Sequence, residues 1–210
     1  QTLDRWRNEG LPAGLDREQL QAHFGLDVQY WFWPSPRGRI VRPEGRPRNE
    51  GLIETEAEYE RVVAPVLADP EIDLSRMQRI ADLHARGEII LWMQIDGFFW
   101  FPREVLGIER HLLAFYDQPD LMTRINEALC RWNLRVLERT LEVVTPDVLT
   151  FAEDLSYNHG PMLSPEQFER FVAPYYRQIV PVLKEAGTIP MVDTDGDVTS
   201  VIPWMKAAGI

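Results

Sequence analysis

The chain has 210 residues, 45% of them hydrophobic, and a formal net charge of −11 from 22 Lys and Arg against 33 Asp and Glu. That length and apolar content suit one large domain or two small ones with ample core, and the acidity argues against a nucleic-acid backbone as partner, since phosphate neutralisation needs clustered cations. Apolar stretches such as Ile89 to Met93 are far shorter than the roughly 20 residues of a membrane helix, and the single cysteine, Cys130, excludes a disulfide framework or a multi-thiolate metal site. With no signal-peptide order at the N-terminus, the expectation is a cytoplasmic protein without a membrane partner, in which Cys130 is an inert core thiol. The chain opens on Gln and stops at Gly209-Ile210, where another strand is expected, so it reads as a single domain, 1–210, truncated at both ends.

Helices are expected over Leu3 to Glu9 and Asp16 to Phe24, each closed by a glycine, Gly10 and Gly25. Val28 to Trp33 is apolar and aromatic and reads as a strand stopped by Pro34. Arg37, Arg39, Arg42, Arg46 and Arg48 then crowd a Pro- and Gly-rich arm, which reads either as a clamp for an anionic ligand or as a solvated connection. Thr55 to Glu58 has the form of a capping box, opening a helix to about Leu67 that Asp69-Pro70 breaks; a second helix runs from about Leu74 to Ala85. Ile89 to Met93 is a strand with the polar tip Gln94-Ile95-Asp96-Gly97, and the aromatic run Phe98 to Phe101 suits a pocket wall or a hinge against the core. Short helices over Pro102 to Leu106 and Ile108 to Tyr116 precede a long one from Asp120 to Val143, whose Leu121, Ile125, Leu129, Trp132, Val136 and Leu137 form a core stripe.

Val148 to Phe151 is a third strand, tipped by Ala152-Glu153-Asp154-Leu155. Ser164-Pro165-Glu166-Gln167 starts a helix to about Ala186, bent by Pro174 and Pro181 and capped by Gly187. The run Ile189 to Val192 reads as a buried strand ending in Asp193-Thr194-Asp195-Gly196-Asp197, followed by helical character from Val198 to Ala208. Successive strand-helix units with right-handed crossovers predict an α/β fold with a parallel sheet, and its ligands belong at the carboxyl ends of the strands. Asp96, Glu153, Asp154, Asp193, Asp195 and Asp197 collect on that rim, joined by Asn158 and His159 in the loop after the third strand. Asp197 suits a helix cap and His159 a solvated loop residue or a general acid; Asp193, Asp195 and Glu153 are the candidate catalytic groups, with Asp96, Asp154, Asn158 and His159 as substrate-binding candidates. No phosphate loop, nucleophile elbow or dinucleotide fingerprint is present, and the aspartates alone are a weak signal for Mg²⁺ or another oxygen-seeking cation, so no metal ligand is assigned.

The ordered set Ile89 to Gly97, Val105-Leu106-Gly107, Phe115 to Leu121, Phe151 to Leu155, Gly160 to Phe168, Pro174-Tyr175-Tyr176 and Asp193 to Asp197 resembles the uroporphyrinogen decarboxylase superfamily over roughly residues 52 to 210. The resemblance implies a (β/α)8 TIM-type barrel, here an incomplete fragment because such barrels need about 250 residues. It also implies an enzyme that is either a corrinoid-linked methyltransferase or a tetrapyrrole decarboxylase. Where the methyltransferases carry a zinc-binding His-x-Cys, this chain has Asp193 and Asp195, so thiolate-type zinc activation is not expected. The arginine-rich motif of the decarboxylases lies upstream of what this chain shows, and Phe98 to Glu104 offers no match for their active-site tyrosine. The first expectation is methyl transfer from a small ether or amine to a corrinoid on a partner protein, with no tightly bound cofactor. The alternatives are uroporphyrinogen decarboxylation and a non-catalytic corrinoid or tetrapyrrole carrier.

Overall fold

The structure is a computed structural model describing residues 2–46, 50–68, 70 and 75–210. Pro47 and Arg48 of the arginine arm, Asp69 of the expected helix break and Leu74 lie outside the described residues. Helices α1 (Thr2–Asn8) and α2 (Arg17–His23) precede β1 (Gln29–Phe32) and a 3-10 turn, Pro36–Arg39. Next come α3 (Glu56–Glu58), a π turn (Tyr59–Val63), α4 (Ala64–Ala68) and α5 (Ser75–Ala85), then β2 (Ile90–Asp96), α6 (Trp100–Leu106), α7 (Ile108–Asp117) and α8 (Pro119–Leu141). β3 (Val148–Ala152), a small hairpin of β4 (Ser156–Tyr157) and β5 (Gly160–Pro161), α9 (Pro165–Phe171), α10 (Ala173–Ala186), β6 (Ile189–Asp193) and α11 (Ile202–Ala207) complete the chain.

Strands β1, β2, β3 and β6 form one sheet in that order, every pair parallel. Because side chains alternate across a strand, Leu91, Met93, Ile95, Leu149 and Phe151 share the face that packs on the helices and are at most 1% exposed. The core stripe of α8 lies among them as its spacing predicts, with Ile125, Leu129 and Val136 fully buried. Two asparagines on α8, seven residues apart and hence on one face, reach past that stripe. Asn126 Nδ2 donates to the carbonyls of Phe98 and Phe171, and Asn133 Nδ2 donates to that of Asp96, fixing the end of β2 against the long helix.

Several expectations change in detail. The tip residues Gln94 to Asp96 are the last residues of β2, because their pairing with Thr150 to Ala152 continues to the end of β3. β6 is not a buried strand: it pairs with β3 alone, and Ile189 and Met191 are 60% and 42% exposed on a face that no helix covers. The helix after Thr55 relaxes into a π turn ahead of Pro65, which lacks the amide needed to close an ordinary turn. Its capping box is half made: Thr55 Oγ1 accepts from the Glu58 amide, while the Glu58 carboxylate accepts from the Glu54 amide and Arg46. The helix expected to bend near Pro174 is divided at Val172 into α9 and α10, placing Pro174 in the first turn of α10, where no amide is needed. Helical structure after β6 is confined to α11 and a preceding turn.

His111 on α7 is fully buried between Phe99 and Phe115, and neither ring nitrogen has a partner among the described residues. Burial, aided by the charge of Arg103, pushes its pKa down to about 3. The denatured chain takes up this proton near pH 6.5 but the native state does not until about pH 3, so His111 removes stability as pH falls. His111→Leu is therefore expected to stabilise the fold at pH 7.5 by about 1–2 kcal/mol, through loss of an unpaired buried polar ring. The advantage grows by about 2 kcal/mol at pH 5, measured as the difference between variant and parent in urea unfolding at each pH.

Glu153 follows β3 and is also fully buried, turned into the helix layer. Its carboxylate accepts from the amides of Phe98 (2.8 Å), Phe99 (2.6 Å) and Trp100 (3.2 Å) and from the Tyr176 hydroxyl. It thus supplies the first turn of α6 with acceptors that no residue of the α6 segment provides. The approach is so close that a Cβ on Gly97 would lie 2.2 Å from Glu153 Cδ and 2.4 Å from the Ala152 carbonyl oxygen. Gly97→Ala should cost at least about 3 kcal/mol, whereas Gly38→Ala, with open space around the new methyl group, should stay within about 0.5 kcal/mol. Denaturant midpoints of the two variants measure the contrast.

Candidate active site at the carboxyl rim of the sheet

The carboxyl ends of β1, β2, β3 and β6 lie side by side, and the backbone ties them together. The Asp193 carbonyl accepts from the amides of both Glu153 (2.9 Å) and Asp154 (3.2 Å), and Thr194 Oγ1 accepts from those of Leu155 and Ser156. Gly196, with φ of +79°, presses against the hairpin: a Cβ there would stand 2.3 Å from the Tyr157 carbonyl carbon, and the next amide, Asp197, donates to the Tyr157 oxygen. Asp197 itself accepts from the Thr199 amide two residues on, in the turn ahead of α11, and not as the helix cap expected, a place that Val201 takes.

Apart from Asp197, the named carboxylates fall into three groups. Asp154, Asp193 and Asp195 are brought together. Asp154 is half-buried with φ of +44°, the left-handed conformation that costs a non-glycine residue strain and that accumulates at functional sites. Its carboxyl is held above the usual range, first by burial and then by Asp195 and Asp193, with Arg103 acting the other way. Glu153 does not join them: it points inward to the amide cage, where burial raises its pKa to about 7 against the pull of Tyr176 and the three amides. Among the described residues its place is inside the helix layer and not with the three aspartates beside which a catalytic role was expected for it. Asp96 lies on the rim but is fully buried, accepting from Ser35 Oγ (2.5 Å) and Trp33 Nε1 (3.1 Å) and pairing with Arg37 Nε (3.4 Å). Burial brings its pKa to about 6, opposed by those three partners. With its oxygens so engaged, Asp96 organises the rim and does not face a substrate. Asn158 and His159 form the exposed tip of the β4–β5 hairpin, where His159 meets Tyr157 edge-on.

The rim also contains groups outside the acidic set. Arg37 of the arginine arm is neither a solvated connection nor an open anion clamp: it bonds Glu104 and Asp96, and its guanidinium lies 4.9 Å from the Trp33 ring and 5.3 Å from that of Trp100. Arg103 stacks on Trp100 at 4.6 Å and donates to the Asp154 carbonyl. The available signals were the Trp100–Arg103 spacing on one helix and the Trp33–Arg37 spacing across one turn. Below the rim, the uncovered face of the sheet forms a concavity of about 500 Å³ lined by Trp31, Trp92, Gln94, Thr150, Met191 and Asp193, with Arg17 at its edge. Trp31 Nε1 donates to Gln94 and Trp92 Nε1 to Thr150, so each indole edge is pinned to the next strand. Among the described residues no three His, Cys, Asp or Glu side chains converge as metal ligands, and Asp193 and Asp195 do not reproduce a zinc site. No helix among them is long and apolar enough to cross a membrane. Cys130 is buried, its thiol pushed up to about 11 by desolvation.

Chemically, the site offers a raised-pKa carboxyl at Asp154, two further carboxylates and pinned indole faces. A methyltransferase from Methanosarcina mazei is among three matching solved chains. It has 12% identity and a TM-score of 0.52 over 81% of this chain and 48% of its own, so this chain spans about half its length and shares its fold. No curated protein sequence matches. The family model for uroporphyrinogen decarboxylase (URO-D) matches residues 52–210, in register with β2, β3, β6 and the helices between them. The chain belongs to the uroporphyrinogen decarboxylase (URO-D) family.

Proposed function

We propose that this chain is part of a (β/α)8-barrel methyltransferase that takes a methyl group from a small ether or amine and passes it to a corrinoid held by a partner protein. The observation that carries this reading is Asp154: a strained, half-buried carboxyl whose pKa is raised first by burial and then by Asp195 and Asp193. Sequential parallel strand order supports the barrel, since successive β/α units produce it and doubly wound sheets reverse it. The corrinoid supplies a two-electron nucleophile that accepts the methyl group; the open concave face leaves room for a bulky co-substrate beside β6. Zinc does not fit the Asp193 and Asp195 tip, and no step is assigned to it.

The residues of the chain do three things in this scheme. The concave face holds the donor with its methyl-bearing heteroatom toward Asp154. When the carbon–oxygen or carbon–nitrogen bond breaks, its electron pair stays on the heteroatom, and Asp154 gives that atom its proton. Asp195 and Asp193 favour the acid form of Asp154 by repulsion, and the proton that it gives up in each turnover is replaced from solvent.

The test uses the complete open reading frame with a reduced corrinoid and methyl ethers or methylamines, following methyl-corrinoid formation by absorbance. Asp154→Asn should lower kcat by about 100-fold for an ether donor. Parent activity should fall as pH rises through the raised pKa of Asp154, since the protonated form is the active one. Partly decarboxylated products from uroporphyrinogen, together with an indifferent Asp154→Asn, would overturn the reading in favour of a lyase.

A further inference from the structure

Four tryptophans stand on the concave face and its rim, and three of them already carry a cation. Arg17 lies 5.7 Å from the Trp31 ring centroid, Arg37 covers Trp33 at 4.9 Å, and Trp100 is flanked by Arg37 and Arg103. Trp92 is the exception among the described residues: it is half-buried, it is the register partner of Trp31, and no guanidinium lies over it. Its only polar atom is spent on Thr150 Oγ1 at 2.8 Å, so its contribution to the lining is the aromatic ring itself. The same concavity is bounded by the exposed carboxylate of Asp193 and by the Met191 thioether, and both neighbouring indole donors are tied to Gln94 and Thr150. The one cationic side chain among the described residues of this lining, Arg17, is stacked on Trp31.

We propose that the Trp92 face and Asp193 bind an alkylated ammonium group of the substrate, so that the ligand supplies the cation this indole lacks. A methylated ammonium is large, weakly hydrated and without donors of its own. Ring faces and a carboxylate at longer range therefore bind it, while groups that need hydrogen bonds do not. Arg17 limits the size of the head group, because it closes the side of the cavity over Trp31. The assignment rests on the reading of the concave face as the donor site and narrows it to methyl ethers that also carry a cationic head, so that Asp154 still protonates the departing oxygen.

Calorimetric titration of the full chain with choline and with 3,3-dimethylbutan-1-ol, its uncharged carbon isostere, separates charge recognition from apolar fit. Choline is expected to bind saturably and at least ten-fold more tightly than the isostere. Trp92→Leu should weaken choline at least ten-fold and Trp92→Tyr less, while Asp193→Asn should weaken it several-fold, with the loss shrinking as salt is raised. If Trp92→Leu does not fold, judged by circular dichroism, Trp92→Tyr and Asp193→Asn decide. Equal binding of choline and the isostere, or choline binding indifferent to Trp92 and Asp193, overturns the inference. Methyl transfer from an uncharged ether without choline binding sinks this inference alone, and choline binding without methyl transfer sinks only the methyltransferase reading.

Discussion

The rim is organised around one buried carboxylate, Glu153, which collects three successive backbone amides and a tyrosine hydroxyl. A helix start buried under other elements leaves its first amides without acceptors, and here α6 gets them from the residue that follows a neighbouring strand. That arrangement locks the end of β3 to the segment after β2. It also explains why Gly97 has no side chain, why Tyr176 is buried with its hydroxyl directed inward, and why Trp100 and Arg103 project over the rim. The next residue, Asp154, takes the left-handed conformation and turns outward to Asp193 and Asp195. Two adjacent acids in the chain therefore have opposite fates: one is buried in the scaffold and the other is turned out to the rim.

Burial raises the pKa of both Asp96 and Glu153, yet the compensation differs. Asp96 has a guanidinium beside it and two neutral donors, so its charge is balanced by Arg37, which is in turn shared with Glu104 and stacked on two indoles. Glu153 has only neutral donors, and its proton is retained to about pH 7. In each case the native state holds a proton that the denatured chain gives up near pH 4 to 5, so both groups favour the fold on the acidic side and lose that contribution as pH rises toward 6 and 7 respectively. His111 works in the opposite sense over an overlapping range. The molecule thus balances buried groups of opposite linkage, and its dependence on pH is shallower than any one of them implies.

Periodicity made most of the fold legible. The strands at Ile89, Val148 and Ile189, the long amphipathic α8 and the glycine-capped turns are local patterns, and local patterns survive in the folded chain. What periodicity does not contain is which side of a strand end faces solvent. Glu153 and Asp154 are indistinguishable as letters, and their separation depends on amides delivered by residues more than fifty positions earlier. The exposure of β6 was hidden for a related reason: an apolar run looks the same whether its second face meets helices or open space. Asn126 and Asn133 were legible in principle, since two amides spaced by seven residues on a core stripe require buried carbonyl partners. The arginine arm was legible only as charge, because its meaning comes from Trp33, Asp96 and Trp100 on three other segments.

The composition of the concave face bears on what the site is for. A barrel interior that serves only to pack is filled by branched aliphatic residues in layers. The uncovered face of this four-stranded sheet instead holds Trp31, Trp92, Gln94 and Thr150, with indole edges bonded across strands. Such a lining sacrifices packing uniformity to hold aromatic rings below three carboxylates, a combination that strengthens electrostatic attraction for a cation. A tetrapyrrole bearing many carboxylates would meet Asp154, Asp193 and Asp195 at the entrance, with Arg37 already committed to Asp96 and Glu104. A small donor with a cationic or neutral head meets no such barrier, and this charge pattern is a ground for proposing methyl transfer.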